Sequence, residues 1–378
     1  MRILLAPDSF KECLSASAVC EALTQGIRAV LPDAEITSVP MADGGEGTLE
    51  ALLAVEHAET RRCEATDPVG RKINSSFAWL PDTRTAFIET AAACGLELLT
   101  KMERNPLVTS TRGAGELFRE ALTLSADRIV LTIGGSATVD GGTGVGRALG
   151  YQFLDGNGNE LPEGGGSLAQ LAKIVPPENQ PWQGRKIIVA CDVDNPLLGK
   201  RGASAVFGPQ KGATRAQVDE LDAALANFAT RLRSDLNLDV ADLPGAGAAG
   251  GMGAGLMAMF GAKLVPGVDV IMDVIGLRRK MKGSDLVISG EGRTDFQTAY
   301  GKVCVGVAKL AAERRIPCVV LSGAVKGDLS ELYDLGITAV FSISPGPRTL
   351  EQAFGNAPRD LAVAAENVMR LIGDGKIK

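Results

Sequence analysis

Histidine and the aromatics are what this 378-residue chain has least of: one histidine, His57, and 4% Phe, Trp and Tyr together. A Ser-His-Asp or Cys-His triad therefore has a single candidate base. His57 falls in a segment read as a helix from Thr48 to Val55 and slightly beyond, far from any strand end. Acid–base work is left to Asp, Glu or Lys. So few aromatics provide no base-stacking platform. A net charge of -6 leaves no basic face for a phosphate backbone, so no nucleic-acid partner is expected. The cysteines at 13, 20, 63, 94, 191, 304 and 318 form no CxxC pair, which disfavours a zinc site or a disulfide framework and fits reduced cytosolic thiols. The least polar stretch, Ala246–Ala262, is glycine-rich and too short for a comfortable membrane span. Met1–Ala6 reads as a buried strand, not a signal peptide. A cytoplasmic protein with no membrane partner is expected. GxxxxGK[ST] and the HRD and DFG kinase elements are also missing.

The 45% hydrophobic and 22% charged content is that of a globular α/β protein long enough for two domains. Arg2–Ala6 reads as a strand, and Ser15 as the N-cap of a helix ending before Pro32. A strand Glu35–Val39 follows, completing a βαβα start. From about Arg61 the texture changes, with strands Ile73–Leu80 and Thr85–Glu89 predicted to pair antiparallel around Pro81-Asp82. Helix Arg112–Leu124, strand Arg128–Ile133, strand Lys186–Ala190 and a helix near Gln217–Leu236 follow. The βα rhythm then returns in helix Val268–Lys282, strand Leu286–Ser289, helix Lys302–Arg315, strands Cys318–Leu321 and Ala339–Ile343, and a helix from about Leu361. Both chain ends are expected to share one parallel sheet, residues 1–60 with 286–378. Residues 61–285 form an inserted mixed α/β domain.

Three acid-bearing segments follow strands: Ala6–Lys11 with Asp8, Ser9 and Lys11; Met41–Thr48 with Asp43, Gly44, Gly45 and Glu46; and Ser289–Asp295 with Glu291, Arg293 and Asp295. Open α/β sheets bind ligands beyond the carboxyl ends of their strands, so the three are expected to converge. A glycine loop, Gly134-Gly135-Ser136-Ala137-Thr138-Val139-Asp140-Gly141-Gly142, lies between a strand and a short helix, a setting for anion binding by backbone N–H groups. The Gly245–Gly255 segment contains GxGxxG, but Asp239–Pro244 does not read as a buried strand, so the dinucleotide reading is rejected. Asp192 and Asp194 follow strand Lys186–Ala190 and would point alike in extended geometry. Phosphoryl transfer needs anion donors, an oxygen-held divalent metal and a carboxylate to orient the hydroxyl. These residues could supply all three.

Seven runs carry a resemblance: Ala6–Lys11, Pro40–Thr48 (PMADGGEGT), Ile133–Gly142 (IGGSATVDGG), Ala190–Pro196 (ACDVDNP), Phe207–Gly212 (FGPQKG), Gly245–Gly253 (GAGAAGGMG) and Gly290–Thr298. On these runs, spanning nearly the whole chain, it resembles the bacterial glycerate kinases of the first type. The resemblance implies phosphorylation of D-glycerate at the 2-hydroxyl with ATP and Mg²⁺ in sugar-acid catabolism. It also implies a flavodoxin-like domain built from both ends and a central domain likened to restriction endonucleases. Thr294 and Phe296 stand where the family has Ile and Ser, and Cys13 where Ser or Gly is usual. In this frame Lys11 and Arg293 neutralise substrate carboxylate or phosphate, and Asp192 or Asp295 accepts the hydroxyl proton. Asp43, Glu46 or Glu291 holds the metal. Asp8, Ser9, Asp43, Gly44 and Gly45 contact substrate or nucleotide, and Gly134, Gly135, Ser136, Gly141, Gly142, Gly250, Gly251 and Gly253 contact phosphates. Alternatives are a kinase forming 3-phosphoglycerate, a nicotinamide-dependent sugar-acid reductase and a non-catalytic sensor. Monomer and homodimer stay open.

Overall fold

Ile3, Leu4 and Leu5 are all buried, so the first strand has apolar side chains on both faces and needs cover on both, the condition of a parallel sheet. A computed structural model describes residues 1–42, 44, 48–53, 57–299 and 302–373. Its strands, in chain order, are β1 Arg2–Leu5, β2 Glu35–Ser38, β3 Glu59–Thr66, β4 Lys72–Leu80, β5 Thr85–Glu89, β6 Arg128–Thr132, β7 Gln152–Leu154, β8 Lys173–Val175, β9 Lys186–Ala190, β10 Lys263–Val265, β11 Leu286–Thr294, β12 Cys318–Val325 and β13 Ala339–Ser342. The chain divides into two units, residues 1–56 with 267–378 and residues 57–266.

In the terminal unit the sheet runs β13-β12-β11-β1-β2, and every pairing is parallel. Counted along this unit alone, that order is 2-1-3-4-5, the flavodoxin-like winding, whose switch point lies between β1 and β11. Helix Ala16–Val30 starts as the sequence predicts, with Ser15 Oγ accepting from Ala18 N. It packs on the closing helix Leu350–Gly373 so tightly that a Cβ on Gly26 would stand 2.0 Å from Ala362 O. The closing helix begins eleven positions before the predicted Leu361, with a reciprocal cap between Thr349 and Gln352, and runs through Pro358.

Two further expectations change here. The inserted domain was expected to extend to residue 285, although the βα rhythm returns beyond Pro266; the compact terminal unit takes up the chain again at Gly267. Helix Gly267–Ile275 lies against helix Val303–Ala312, where a Cβ on Gly306 would sit 2.9 Å from a Val268 methyl. Gly276, at φ +70, ends that helix and separates it from Leu277–Lys280. His57 is not helical: helix Thr48–Leu53 precedes it, and His57 is exposed in a turn with φ +66.

The central unit's main sheet runs β10-β9-β6-β5-β4-β3. β10, β9, β6 and β5 are parallel neighbours, and β5-β4-β3 is an antiparallel meander. Its core gathers Phe77, Phe118, Phe153 and Phe228 with helices Arg112–Thr123, Arg215–Leu236 and Ala248–Phe260. No helix among the described residues is long and apolar enough to cross a membrane.

Candidate active site

The ladder between β1 and β11 continues past β1: Ala6 N donates to Ile288 O at 2.9 Å and Asp8 N to Gly290 O at 2.8 Å. Asp8 is thereby held beside the end of β11, at the switch point where a doubly wound sheet opens to ligand. Its carboxylate is 8% exposed and accepts from Ser9 N at 2.7 Å. β11 is longer than Leu286–Ser289, so Glu291, Gly292 and Arg293 are strand residues rather than loop residues. Alternation along a strand sends Glu291 and Arg293 to the same face.

Glu291 is 5% exposed, and three side chains satisfy it. Thr294 and Thr298 hydroxyls donate to Oε1 at 2.9 and 2.7 Å, and Lys302 Nζ donates to Oε2 at 3.2 Å. Thr298 Oγ1 in turn accepts from Asp295 N at 3.2 Å. Arg293 Nε lies 3.0 Å from Asp295 Oδ2, and Asp295 Oδ1 accepts from Gln297 N at 3.0 Å. Burial first, then Glu291 and Asp8, drives the thiol of buried Cys304 well above its ordinary range, against a hydrogen bond with Ser289. A cavity of about 1010 Å³ is lined by Asp8, Ser9, Lys11, Glu291, Arg293 and Lys302 among others.

Asp43, Gly45 and Glu46 lie outside the described residues; Gly44, at φ +94, is the described member of that loop. No three His, Cys, Asp or Glu among the described residues are grouped to hold a metal ion. Magnesium asks for less, usually one or two carboxylates with phosphate oxygens and waters. Asp8 and Glu291 are hard oxygen donors of that kind, and a metal on Glu291 would replace the Lys302 contact.

The glycine loop of the central unit is built differently from the expectation. Asp140 is fully buried, and its carboxylate is consumed by the loop itself. Thr111 N and Oγ1 donate to Oδ2 at 2.9 and 2.8 Å, Gly142 N to Oδ1 at 3.1 Å and Gly144 N to Oδ2 at 3.2 Å. Burial raises its pKa, and these donors oppose the rise. Gly141 N donates to Gly250 O at 3.1 Å. Thus Gly141 and Gly142, expected to contact phosphate, spend their N–H groups internally and are buried. The helix after the loop, Thr143–Ala148, has six residues, too few for the expected dipole contribution. Gly250, Gly251 and Gly253 also pack rather than present themselves. Gly250 has φ +72, and a Cβ there would sit 2.0 Å from Thr138 O. A Cβ on Gly253 would sit 2.1 Å from Gly245 O. Gly134 and Gly135 remain exposed, while Ser136 is buried.

The sequence reading missed Lys211. It is 2% exposed, and its Nζ donates to Ser136 Oγ at 2.8 Å and to Thr138 O at 2.7 Å. Burial pushes its pKa down to about 8, against the pull of Cys94 and Asp140. Its only signal was its place in the FGPQKG run. Asp192 and Asp194 lie past β9 and are exposed, and Asp194 pairs with Arg201 at 3.0 Å.

The comparisons with known proteins agree along the whole chain. The model of the Glycerate kinase family matches residues 3–373. The sequence is 46% identical over 376 residues to the glycerate 2-kinase of Escherichia coli K12, covering 99% of each chain. It is 44% identical over 369 residues to the glycerate kinase of Bacillus subtilis 168, covering 97% of each. A crystal structure assigned to glycerate kinase 2 of Salmonella typhimurium LT2 superposes with a TM-score of 0.90 at 44% identity, over 100% of this chain and 99% of that one. With buried carboxylates and lysine and arginine side chains gathered where β1 and β11 end, this chain belongs to the glycerate kinase family.

Proposed function

We propose that this protein transfers the γ-phosphoryl group of ATP to the 2-hydroxyl of D-glycerate, forming 2-phospho-D-glycerate. The observation that carries the reading is the pairing of Asp8 and Glu291 with Lys11, Arg293 and Lys302 around one cavity, in a chain related over its full length to glycerate kinases. The transferring phosphoryl group passes through a loose transition state with little covalent chemistry, so positioning and charge neutralisation do most of the catalysis.

Arg293 is 56% exposed and keeps its Nε on Asp295, so its guanidinium fork can meet substrate carboxylate or phosphate while staying anchored. Lys11, exposed at the cavity wall, adds a point charge. Asp295 accepts the 2-hydroxyl proton as the hydroxyl attacks; Asp192 is the competing carboxylate. Asp8 and Glu291, with Asp43 and Glu46 of the second acid loop, would hold Mg²⁺, whose charge offsets that of the phosphates. The Thr294 and Thr298 contacts fix the Glu291 carboxylate before ligand arrives, which lowers the reorganisation that binding requires.

The test is turnover with D-glycerate and Mg-ATP, with the phosphorylated product identified by ³¹P NMR. A 2-phospho product is expected. A 3-phospho product would overturn the regiochemistry, and no turnover with glycerate or its close analogues would sink the reading.

A further inference from the structure

The cavity is far too large for glycerate alone. At about 1010 Å³ it reaches the top of the range of roughly 300–1,000 Å³ that suits drug-sized ligands, whereas the acceptor is a three-carbon acid. Its walls also differ in chemistry. The segments after β1 and along β11 bring Asp8, Lys11, Glu291, Arg293 and Lys302; the segment after β13 and the closing helix brings Ile343, Leu350, Ala353, Phe354 and Ala357, with Arg348, Thr349 and Asp360 among them. Apart from Ile343, which follows β13, these apolar residues come from the first two turns of helix Leu350–Gly373. Leu350 is 67% exposed, Ala353 and Phe354 are half-buried, and Ile343 and Ala357 are buried beneath them. Arg348 is fixed by Asp360 at 2.5 Å, both largely buried. Cys13 Sγ lies 3.7 Å from Phe354 O, tying the β1 loop to the helix.

The central unit has given up the features that would recommend its glycine loop for a polyphosphate. The Gly141 and Gly142 N–H groups are used within the fold. The Lys211 ammonium is buried and spent on Ser136 and Thr138. The helix that follows is one and a half turns long.

We infer that the terminal unit by itself holds the purine nucleoside triphosphate. The base lies against Ile343, Leu350, Ala353 and Phe354, and the phosphates lie toward Lys11, Arg293 and Lys302. A charged tail and a flat apolar base match the two walls of the cavity, at the sheet position where doubly wound folds receive nucleotides. This placement rests on the kinase reading and sharpens it.

Two measurements on the full-length protein test it. Photolabelling with 8-azido-ATP and Mg²⁺, followed by peptide mass spectrometry, should mark residues 343–360, with the mark suppressed by excess ATP. Ala353→Trp, which fills the space at the apolar wall, should weaken Mg-AMPPNP binding by calorimetry at least about tenfold, since a filled pocket forfeits its packing, while the KM for glycerate changes less than about twofold. Wild-type turnover with ATP-protected label confined to residues 57–266 would overturn the placement and leave the kinase reading intact. Unchanged nucleotide affinity in a folded Ala353→Trp variant would do the same. Absence of both turnover and protected labelling would overturn the two together.

Discussion

Replacing Lys211 by Met tests whether a charged lysine is buried under the glycine loop. At a single pH the variant mixes two effects, relief of a desolvated ammonium and loss of a donor for Ser136 Oγ and Thr138 O. The pH slope separates them. Burial lowers the ammonium pKa from 10.5 to about 8 in the folded state. Between those values the unfolded chain binds more protons than the folded one, so the wild type gains stability as pH rises. Below pH 8 both states are protonated, and that increment disappears. Cys94, pushed up to about 12 by its own burial, stays a thiol throughout. One pKa unit is worth about 1.36 kcal/mol, so from about pH 7.5 to about pH 9.5 the wild type should gain about 2 kcal/mol on Lys211→Met. For a unit of this size that is about 4–8 °C in Tm. The assay is thermal unfolding of both proteins at each pH, reading the difference between them so that other titrations cancel. A difference in Tm that stays constant across the window would refute the burial of a titrating ammonium.

Gly250→Ala combines a left-handed φ of +72 with a Cβ 2.0 Å from Thr138 O. A loss of about 2–5 kcal/mol is expected in urea unfolding, from backbone strain and overpacking together. Gly134→Ala, where nothing lies within 4 Å of the new Cβ, should change stability by less than about 0.5 kcal/mol; equal losses in the two would refute the packing role of Gly250. Asp295→Asn should lower kcat about 10²-fold, the usual worth of a positioned base, with folding unchanged by circular dichroism. If Asp295→Asn turns over normally and Asp192→Asn is the crippled variant, the proton goes to Asp192 instead.

The division into a terminal sheet and an inserted block was legible because the strands of the terminal sheet read as short runs closed by Pro7, Pro40, Gly290, Gly323 and Pro345, and because Ser15 announces a helix start. The misjudged boundaries have separate physical causes. Pro358 reads as a barrier to a helix, yet the Thr349–Gln352 reciprocal cap ahead of it was visible as T-x-x-Q and starts the helix at Leu350. Glu291–Thr294 reads as loop because it is polar and glycine-rich. It is strand because its polar side chains face the cavity and meet one another, an arrangement made by tertiary contacts. Residues 248–260 fall in the least polar, glycine-rich stretch, for which no helix was expected. Their glycines instead let a helix approach other backbone closely, so that a Cβ on Gly255 would lie 2.0 Å from Gly141 O.

The glycine loop shows most clearly what a motif can and cannot convey. A run of glycines beside Ser, Thr and Asp reports that backbone approaches something closely, and a phosphate is only one such partner. Here the partners are a helix, a buried carboxylate and the ammonium of a lysine about seventy residues downstream in the sequence. A lone lysine in FGPQKG carries no hydrophobic periodicity or pairing signal that would predict burial. Its role exists only once helix Arg215–Leu236 and the Pro209–Lys211 turn before it close over the loop. By contrast, Asp8, Lys11, Glu291 and Arg293 were expected to converge because each ends or borders an apolar strand, and they line one cavity. A charge at such a place faces the open end of the sheet, whichever strands prove to be neighbours. Charge at strand ends was therefore the better guide to the cavity, and glycine density the better guide to packing.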